Sequence, residues 1–125
     1  MTRDFELIPG VASAAASKMD DGELSFTFPE VLEIIRLCTT NQIAVLGVEL
    51  FQVRPEGYCW KELSGYDQQM NRGPNNIEGW PDYVRTNNSL AEEFVRLNPI
   101  GDEHVYVLTT SSWREFCETQ EMKRR

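Results

Sequence analysis

The fold is decided by residues 43–53, which read IAVLGVELFQV. The continuous apolar run from Ile43 to Leu46 is typical of a strand that is buried on both faces. Gly47 permits a bulge, after which Val48 to Val53 continues in an extended conformation. The stretch therefore predicts the central strand of a small sheet.

Further strands are predicted on the C-terminal side of this stretch. A turn signal at Pro55-Glu56-Gly57 is followed by the β-prone residues 58–60, which predict a hairpin partner for the central strand. Residues 65–79 are rich in Asn, Gln, Gly and Pro, which predicts a long exposed loop of the kind that is often functional. His104 to Thr110 predicts a short apolar strand.

Helix signals surround the predicted strands. Thr27-Phe28-Pro29-Glu30 has the form of a capping box, and the apolar residues after it predict a helix that ends near Asn41. Residues 24–28 also alternate like a strand that enters this helix, and the sequence leaves both readings open. Ser112-Trp113-Arg114-Glu115 predicts the cap of a last short helix.

A longer helix is predicted over residues 82–97. Its core-facing side chains are expected to be Tyr83, Leu90, Phe94 and Leu97. The Asn87-Asn88 pair and a second capping box at Ser89 to Glu92 leave open a break within it. Asn98-Pro99 stops the helix.

Together these elements predict a single α+β domain, with a small central β-sheet packed against two or three α-helices. Residues 1–22 are expected to form an N-terminal arm or short helix. Residues 23–118 form the α+β domain, and residues 119–125 form a charged tail.

The composition narrows the classes of partner. The 125 residues include 20 acidic and 12 basic ones, and the net charge of −8 repels nucleic acid and anionic lipid while it attracts basic proteins. Three cysteines, Cys38, Cys59 and Cys117, fit reduced thiols better than a disulfide framework, and at least two are expected in the core. Charged residues before Pro9-Gly10 fit neither a signal peptide nor a membrane span, so we expect a cytoplasmic protein.

Reactive groups are sparse in the sequence. There is one histidine, no glycine-rich phosphate loop, and no Cys or His pair at metal-ligand spacing, so we expect no metal, no cofactor and no enzyme activity. One alternative is a small thiol-dependent hydrolase or transferase, with Cys59 as nucleophile and His104 as base. Another is a self-associating adaptor domain.

The order of elements over about residues 28–110 resembles the immunity protein 40 family of bacterial polymorphic toxin systems. The resemblance is carried by the helix from Val31 to Cys38, the segment NQIAVLGVE at 41–49, the segment WPDYV at 80–84, and the strand at 106–108. Val48 stands where the family pattern has a second glycine. The resemblance implies an immunity protein that binds and neutralises the C-terminal domain of a cognate toxin, and many such toxins are basic nucleases.

The candidate partner-binding residues surround the predicted loop. They are the acidic and tryptophan side chains within or beside residues 54–82, namely Glu49, Trp60, Glu62, Asp67, Trp80 and Asp82. Two of them have structural alternatives, because Glu49 suits an exposed sheet edge and Trp80 suits a staple that closes the loop over the core. The expected partner is the toxin domain, and a monomer is favoured.

Overall fold

The computed structural model describes residues 3–18, 22–53, 60–67, 73–98 and 104–123. Within these ranges the strands are β1 (Ser17–Lys18), β2 (Leu24–Phe26), β3 (Ala44–Val53), β4 (Trp60–Asp67) and β5 (His104–Ser111). The helices are α1 (Val11–Ala14), α2 (Glu30–Thr40), α3 (Trp80–Leu97) and α4 (Trp113–Lys123). Short 3-10 turns cover Asp4–Leu7 and Ile77–Gly79. The predicted class, a single small α+β domain, is confirmed.

The strands form one antiparallel sheet in the order β1-β2-β5-β3-β4. β3 pairs with β5 on one side and with β4 on the other, so the prediction of a central strand is confirmed. The register against β5 slips between Val45 and Gly47, where the glycine predicted a bulge. The predicted hairpin partner is β4, which begins at Trp60.

The predicted loop over residues 65–79 is wrong at its N-terminal end. Residues 65–67 belong to β4, where Gly65 pairs with Glu49 and Asp67 pairs with Gly47. Residues 77–79 form a 3-10 turn that leads into α3, while residues 68–72 lie outside the described part of the chain. The low strand propensity of this segment is overridden by pairing with the inner strand β3.

α2 packs its apolar stripe on one face of the sheet. Of the five apolar residues that the spacing predicted, Val31, Ile34, Ile35 and Cys38 are buried, and Leu32 is partly buried against them. The predicted capping box does not form: α2 begins at Glu30, and the cap position is Pro29, which makes no side-chain hydrogen bond. The N–H of Val31 donates instead to the backbone carbonyl of Thr27 at 2.9 Å. Leu24–Phe26 form the strand β2, so the strand reading was correct for these three residues, whereas Phe28 lies outside the strand.

α3 buries only part of the predicted stripe: Asn87, which falls in that stripe, is buried, and Tyr83 and Phe94 are partly buried, but its two leucines are not. Leu90 is 40% exposed and Leu97 is 72% exposed. The residues that α3 buries are Trp80, Val84, Asn87, Asn88, Ala91 and Val95. The helix also runs unbroken through the asparagine pair, so the break that the sequence left open does not occur and Ser89 is not a helix cap. The helix ends at Leu97, directly before Asn98-Pro99, as the Asn-Pro signal predicted.

Both ends of the described chain join the same body. Phe5 and Val11, in the segment predicted as an arm, are buried in the core formed by α2, α3 and the sheet. The capping box of α4 is confirmed, with the N–H of Ser112 donating to Glu115 Oε1 at 2.9 Å and the N–H of Glu115 donating to Ser112 Oγ at 3.1 Å. α4 continues to Lys123, so residues 119–123 of the predicted tail are helical. No helix in the described ranges has the length and apolarity needed to span a membrane.

Candidate functional site

Four of the six predicted partner-binding residues lie on two adjacent strands. Trp60, Glu62 and Asp67 occupy β4, which pairs only with β3 within the described ranges and therefore forms one edge of the sheet. Glu49 lies on β3, where it is half-buried and flanked by Gly65 of β4 and by Val107 of β5. Because β3 is paired on both sides, the alternative that Glu49 protects an exposed edge is wrong.

Trp80 is not available to a partner. Its side chain is 2% exposed, and its Nε1–H donates to the carbonyl of Gln42 at 2.7 Å. Its ring centroid lies 5.2 Å from that of Tyr83, 5.4 Å from that of Trp113 and 5.3 Å from that of Phe116. This aromatic cluster (Trp80, Tyr83, Trp113, Phe116) joins α3 to α4, so the prediction of a binding role for Trp80 is corrected to the structural staple.

Asp82 keeps an exposed side chain at the start of α3. Its carboxylate is 78% exposed and lies 2.9 Å from the guanidinium of Arg85, one turn further along the helix. An acidic residue in this position is favoured by the helix dipole, and the exposed ion pair adds little stability. Asp82 is therefore accessible, although part of its charge is compensated locally.

The described surface carries a charge imbalance. The arginines of α2, α3 and α4 all pair with carboxylates: Arg36 and Arg96 with Glu92, Arg85 with Asp82, and Arg114 with Asp4 and Glu118. Four exposed glutamates form no ion pair with another described residue, and these are Glu30, Glu33, Glu78 and Glu93. The four arginines of these helices are thus held in ion pairs within the domain, whereas the four glutamates are exposed without an ion pair among the described residues.

A cleft of about 560 Å³ separates residues 73–75 from α4. The α4 side is lined by the rings of Trp113 and Phe116 and by Cys117, Gln120 and Glu121. None of these residues was among the predicted site residues. The signal that could have identified them is the helical spacing of Trp113, Cys117 and Gln120, which places an aromatic, a thiol and an amide along one side of a capped helix.

Of the alternative catalytic pair Cys59 and His104, only His104 lies within the described residues. Cys38 is buried in the core, and burial raises the pKa of its thiol to about 12. Cys117 is exposed. The expectation of at least two core cysteines therefore depends on Cys59, which lies outside the described residues. His104 begins β5 opposite Gln52, and its buried Nδ1 has no hydrogen-bond partner among the described residues. The same residues contain no group of three or more side chains arranged to hold a metal ion.

The fold and this surface define a small acidic α+β domain with a mixed aromatic and polar cleft. Comparison with protein-family models, with curated proteins and with solved structures finds no match to the chain.

Proposed function

We propose that this protein is an immunity protein, which binds a cognate bacterial toxin domain in the cytoplasm and neutralises it by protein–protein contact. The observation that carries the proposal is the charge imbalance among the described residues of the surface. The arginines on the helices are held in ion pairs, whereas Glu30, Glu33, Glu78 and Glu93 present charge to the solvent. The resemblance over residues 28–110 supplies the class of partner.

Charge complementarity explains why such a surface suits an inhibitor of a basic enzyme. A toxin that acts on nucleic acid carries cationic groups around its active site, and these groups attract an acidic surface as they attract phosphate. Complementary fields raise the association rate well above the value for neutral partners. An immunity protein benefits from this rate because it must capture the toxin before the toxin reaches its substrate.

The inhibition needs no chemistry from the inhibitor. An acidic domain that lies over the toxin's active site, or over a nearby essential surface, excludes the substrate by volume and by charge. The accessible carboxylate of Asp82 and the positions of Glu49, Glu62 and Asp67 on β3 and β4 remain the predicted contacts. Interface specificity would then arise from the shape and hydrogen bonding of the same region.

The test is protection from the toxic domain encoded directly upstream. We expect co-expression of this chain to restore growth of a bacterial host that produces that domain, and the two purified proteins to form a complex with a Kd in about the nanomolar range. A toxin domain from an unrelated system serves as the control and should be neither bound nor neutralised. Failure to bind and protect against the upstream domain would overturn the proposal.

A further inference from the structure

α3 carries two exposed leucines on one line along its solvent side. Leu90 is 40% exposed and Leu97 is 72% exposed. Because an α-helix turns by about 100° per residue, these two side chains point within about 20° of each other. Other large hydrophobic side chains that are exposed in the described ranges lie outside the longer helices, so only these two share an element. The leucines therefore form a continuous apolar ridge on α3, which is distinct from singly scattered surface residues.

This ridge points away from the packed faces of α3. The core-facing side is formed by Val84, Ala91 and Val95, and the side toward α2 is marked by Glu92, which accepts a hydrogen bond from Arg36 Nε at 3.3 Å. The two leucines point about 150° away from Glu92 around the helix axis. Among the described residues, neither α2 nor the sheet therefore covers the leucines.

An uncompensated carboxylate stands between the leucines. Glu93 is exposed, lies one turn from each leucine, and forms no ion pair with another described residue. Arg96, the cation one turn further on, is held by Glu92 at 3.5 Å. The α3 ridge (Leu90, Glu93, Leu97) thus presents an apolar surface together with one free negative charge.

The charge on the ridge distinguishes between two occupants. In a symmetric dimer centred on the ridge, the Glu93 carboxylates of the two copies would meet, and their repulsion opposes the contact. A basic partner meets the same carboxylate with an opposite charge, and lysine and arginine stems can also pack on leucine side chains. Charge complementarity therefore favours a basic partner over a second copy of this chain.

We propose that the α3 ridge docks a basic segment of the toxin domain. Apolar side chains of the segment pack on Leu90 and Leu97, and a lysine or arginine of the segment lies beside Glu93. The inference rests on the proposed function, and it adds the α3 ridge to the partner-binding surface predicted from residues 49–82.

The apolar part of the contact is tested with the double variant Leu90→Ala, Leu97→Ala. We expect its complex with the upstream toxin domain to dissociate about tenfold faster or more, with an association rate constant within about twofold of wild type. Both side chains are exposed and alanine favours helix, so the urea midpoint should not fall. Leu7→Ala is the matched control, because it removes a leucine that is 71% exposed outside the ridge, and its complex should dissociate within about twofold of the wild-type rate.

The charged part of the contact is tested with Glu93→Gln. We expect the association rate constant at low salt to fall about threefold and its salt dependence to become shallower. Glu30→Gln removes the same charge from the exposed side of α2 and should lower the rate constant by less than about twofold. Surface plasmon resonance over a range of salt concentrations measures these rate constants, and equal effects of the two variants would show that Glu93 has no special place in the contact.

Analytical ultracentrifugation of the protein alone tests the other occupant. We expect a monomer for the wild type. A wild-type dimer that the leucine double variant converts to a monomer, with unchanged toxin binding, would assign the ridge to a second copy and overturn the inference. If the double variant binds the toxin domain as wild type does, the ridge is not the contact, while the proposed function still stands. If the wild type neither binds nor protects, the proposed function and this inference both fail.

Discussion

At the scale of single residues, Asn88 connects three elements of the fold. Its Oδ1 accepts from the N–H of Val45 at 2.7 Å, and its Nδ2 donates to the carbonyl of Ile43 at 3.0 Å and to Thr39 Oγ1 at 2.8 Å. The amide thus pairs with the backbone at the start of β3 and with the end of α2. A polar residue at 1% exposure on the buried face of α3 is stable because all of these groups are satisfied.

Replacing Asn88 with leucine should lower the free energy of unfolding by about 3 kcal/mol, because backbone groups of Val45 and Ile43 lose their buried partner. Urea denaturation of the purified variant measures the change. Asn87 provides the control, since it is also buried and its only hydrogen bond within the described chain runs to Tyr83 of its own helix. Asn87→Leu should cost less than about 1 kcal/mol, and equal losses for the two variants would contradict this account.

The two described thiols should differ in reactivity. Burial raises the pKa of Cys38 to about 12, so almost none of it is thiolate at pH 8, whereas Cys117 is exposed. In a Cys59→Ser background, a chromogenic disulfide reagent at pH 8 should release about one equivalent of product from the native protein and about two after denaturation. Cys117→Ser should remove the native signal. Rapid reaction of Cys38 in the folded protein would show that the core is more open than described.

At the scale of elements, a polar contact holds the N-terminal segment against the start of α4. The carboxylate of Asp4 accepts hydrogen bonds from Ser112 Oγ and from the guanidinium of Arg114, while the N–H of Asp4 donates to Glu115 Oε2 at 3.1 Å. The hydrogen bond from Arg114, followed by that from Ser112, lowers the pKa of Asp4 below its ordinary value. Residues at the two ends of the described chain are therefore coupled through one carboxylate.

Asp4→Asn should lower the free energy of unfolding by about 1 kcal/mol at pH 7, since the amide cannot replace the charged acceptor. A carboxyl with a lowered pKa in the folded state stabilises above the pKa of the unfolded aspartate, about 4, and this contribution disappears as the pH falls through the folded pKa. The difference between the variant and the wild type should therefore shrink between about pH 4 and pH 2.

Urea denaturation at pH 7 and at pH 2.5 gives this comparison. Asp82→Asn is the matched control, because its ion pair with Arg85 is exposed and should contribute little at either pH. A difference between Asp4→Asn and wild type that stays constant down to pH 2 would show that Asp4 does not act through its charge.

At the scale of the whole molecule, the exposed carboxylates should control the rate of association with the toxin domain. Replacing Glu30, Glu33, Glu78 and Glu93 with glutamine raises the net charge by four while the buried core is left intact. We expect the association rate constant at low salt to fall by about tenfold, the dissociation rate constant to change little, and the salt dependence to become shallower.

Stopped-flow kinetics or surface plasmon resonance over a range of salt concentrations measures both rate constants. Neutral changes on exposed helix positions, Thr40→Ser, Thr86→Ser and Ser89→Thr, form the control and should leave the kinetics unchanged. An unaltered association rate constant in the glutamine variant would show that these four carboxylates do not control association with the toxin domain.

The sequence by itself determined the elements whose signals are local. The buried stripe of α2, the inner strand β3 with its bulge near Gly47, and the capping box at Ser112 were all predicted, because periodicity, glycine position and cap chemistry act within a few residues. The negative charge and the accessible Asp82 were also readable from the sequence. The helix and strand signals predicted the fold class, and the charge predicted the class of partner.

Only the tertiary structure decided which side chains are buried and which form a surface. Asn88 is buried, whereas Leu90 is exposed, because the Asn88 amide bonds to the backbone of Val45. Val45 lies 43 positions earlier in the chain. Trp80 is sequestered by Trp113 and Phe116 of α4, and the cleft pairs that same helix with residues 73–75. Hydrogen-bond satisfaction and ring packing depend on groups that are distant in sequence, so no local pattern can predict them.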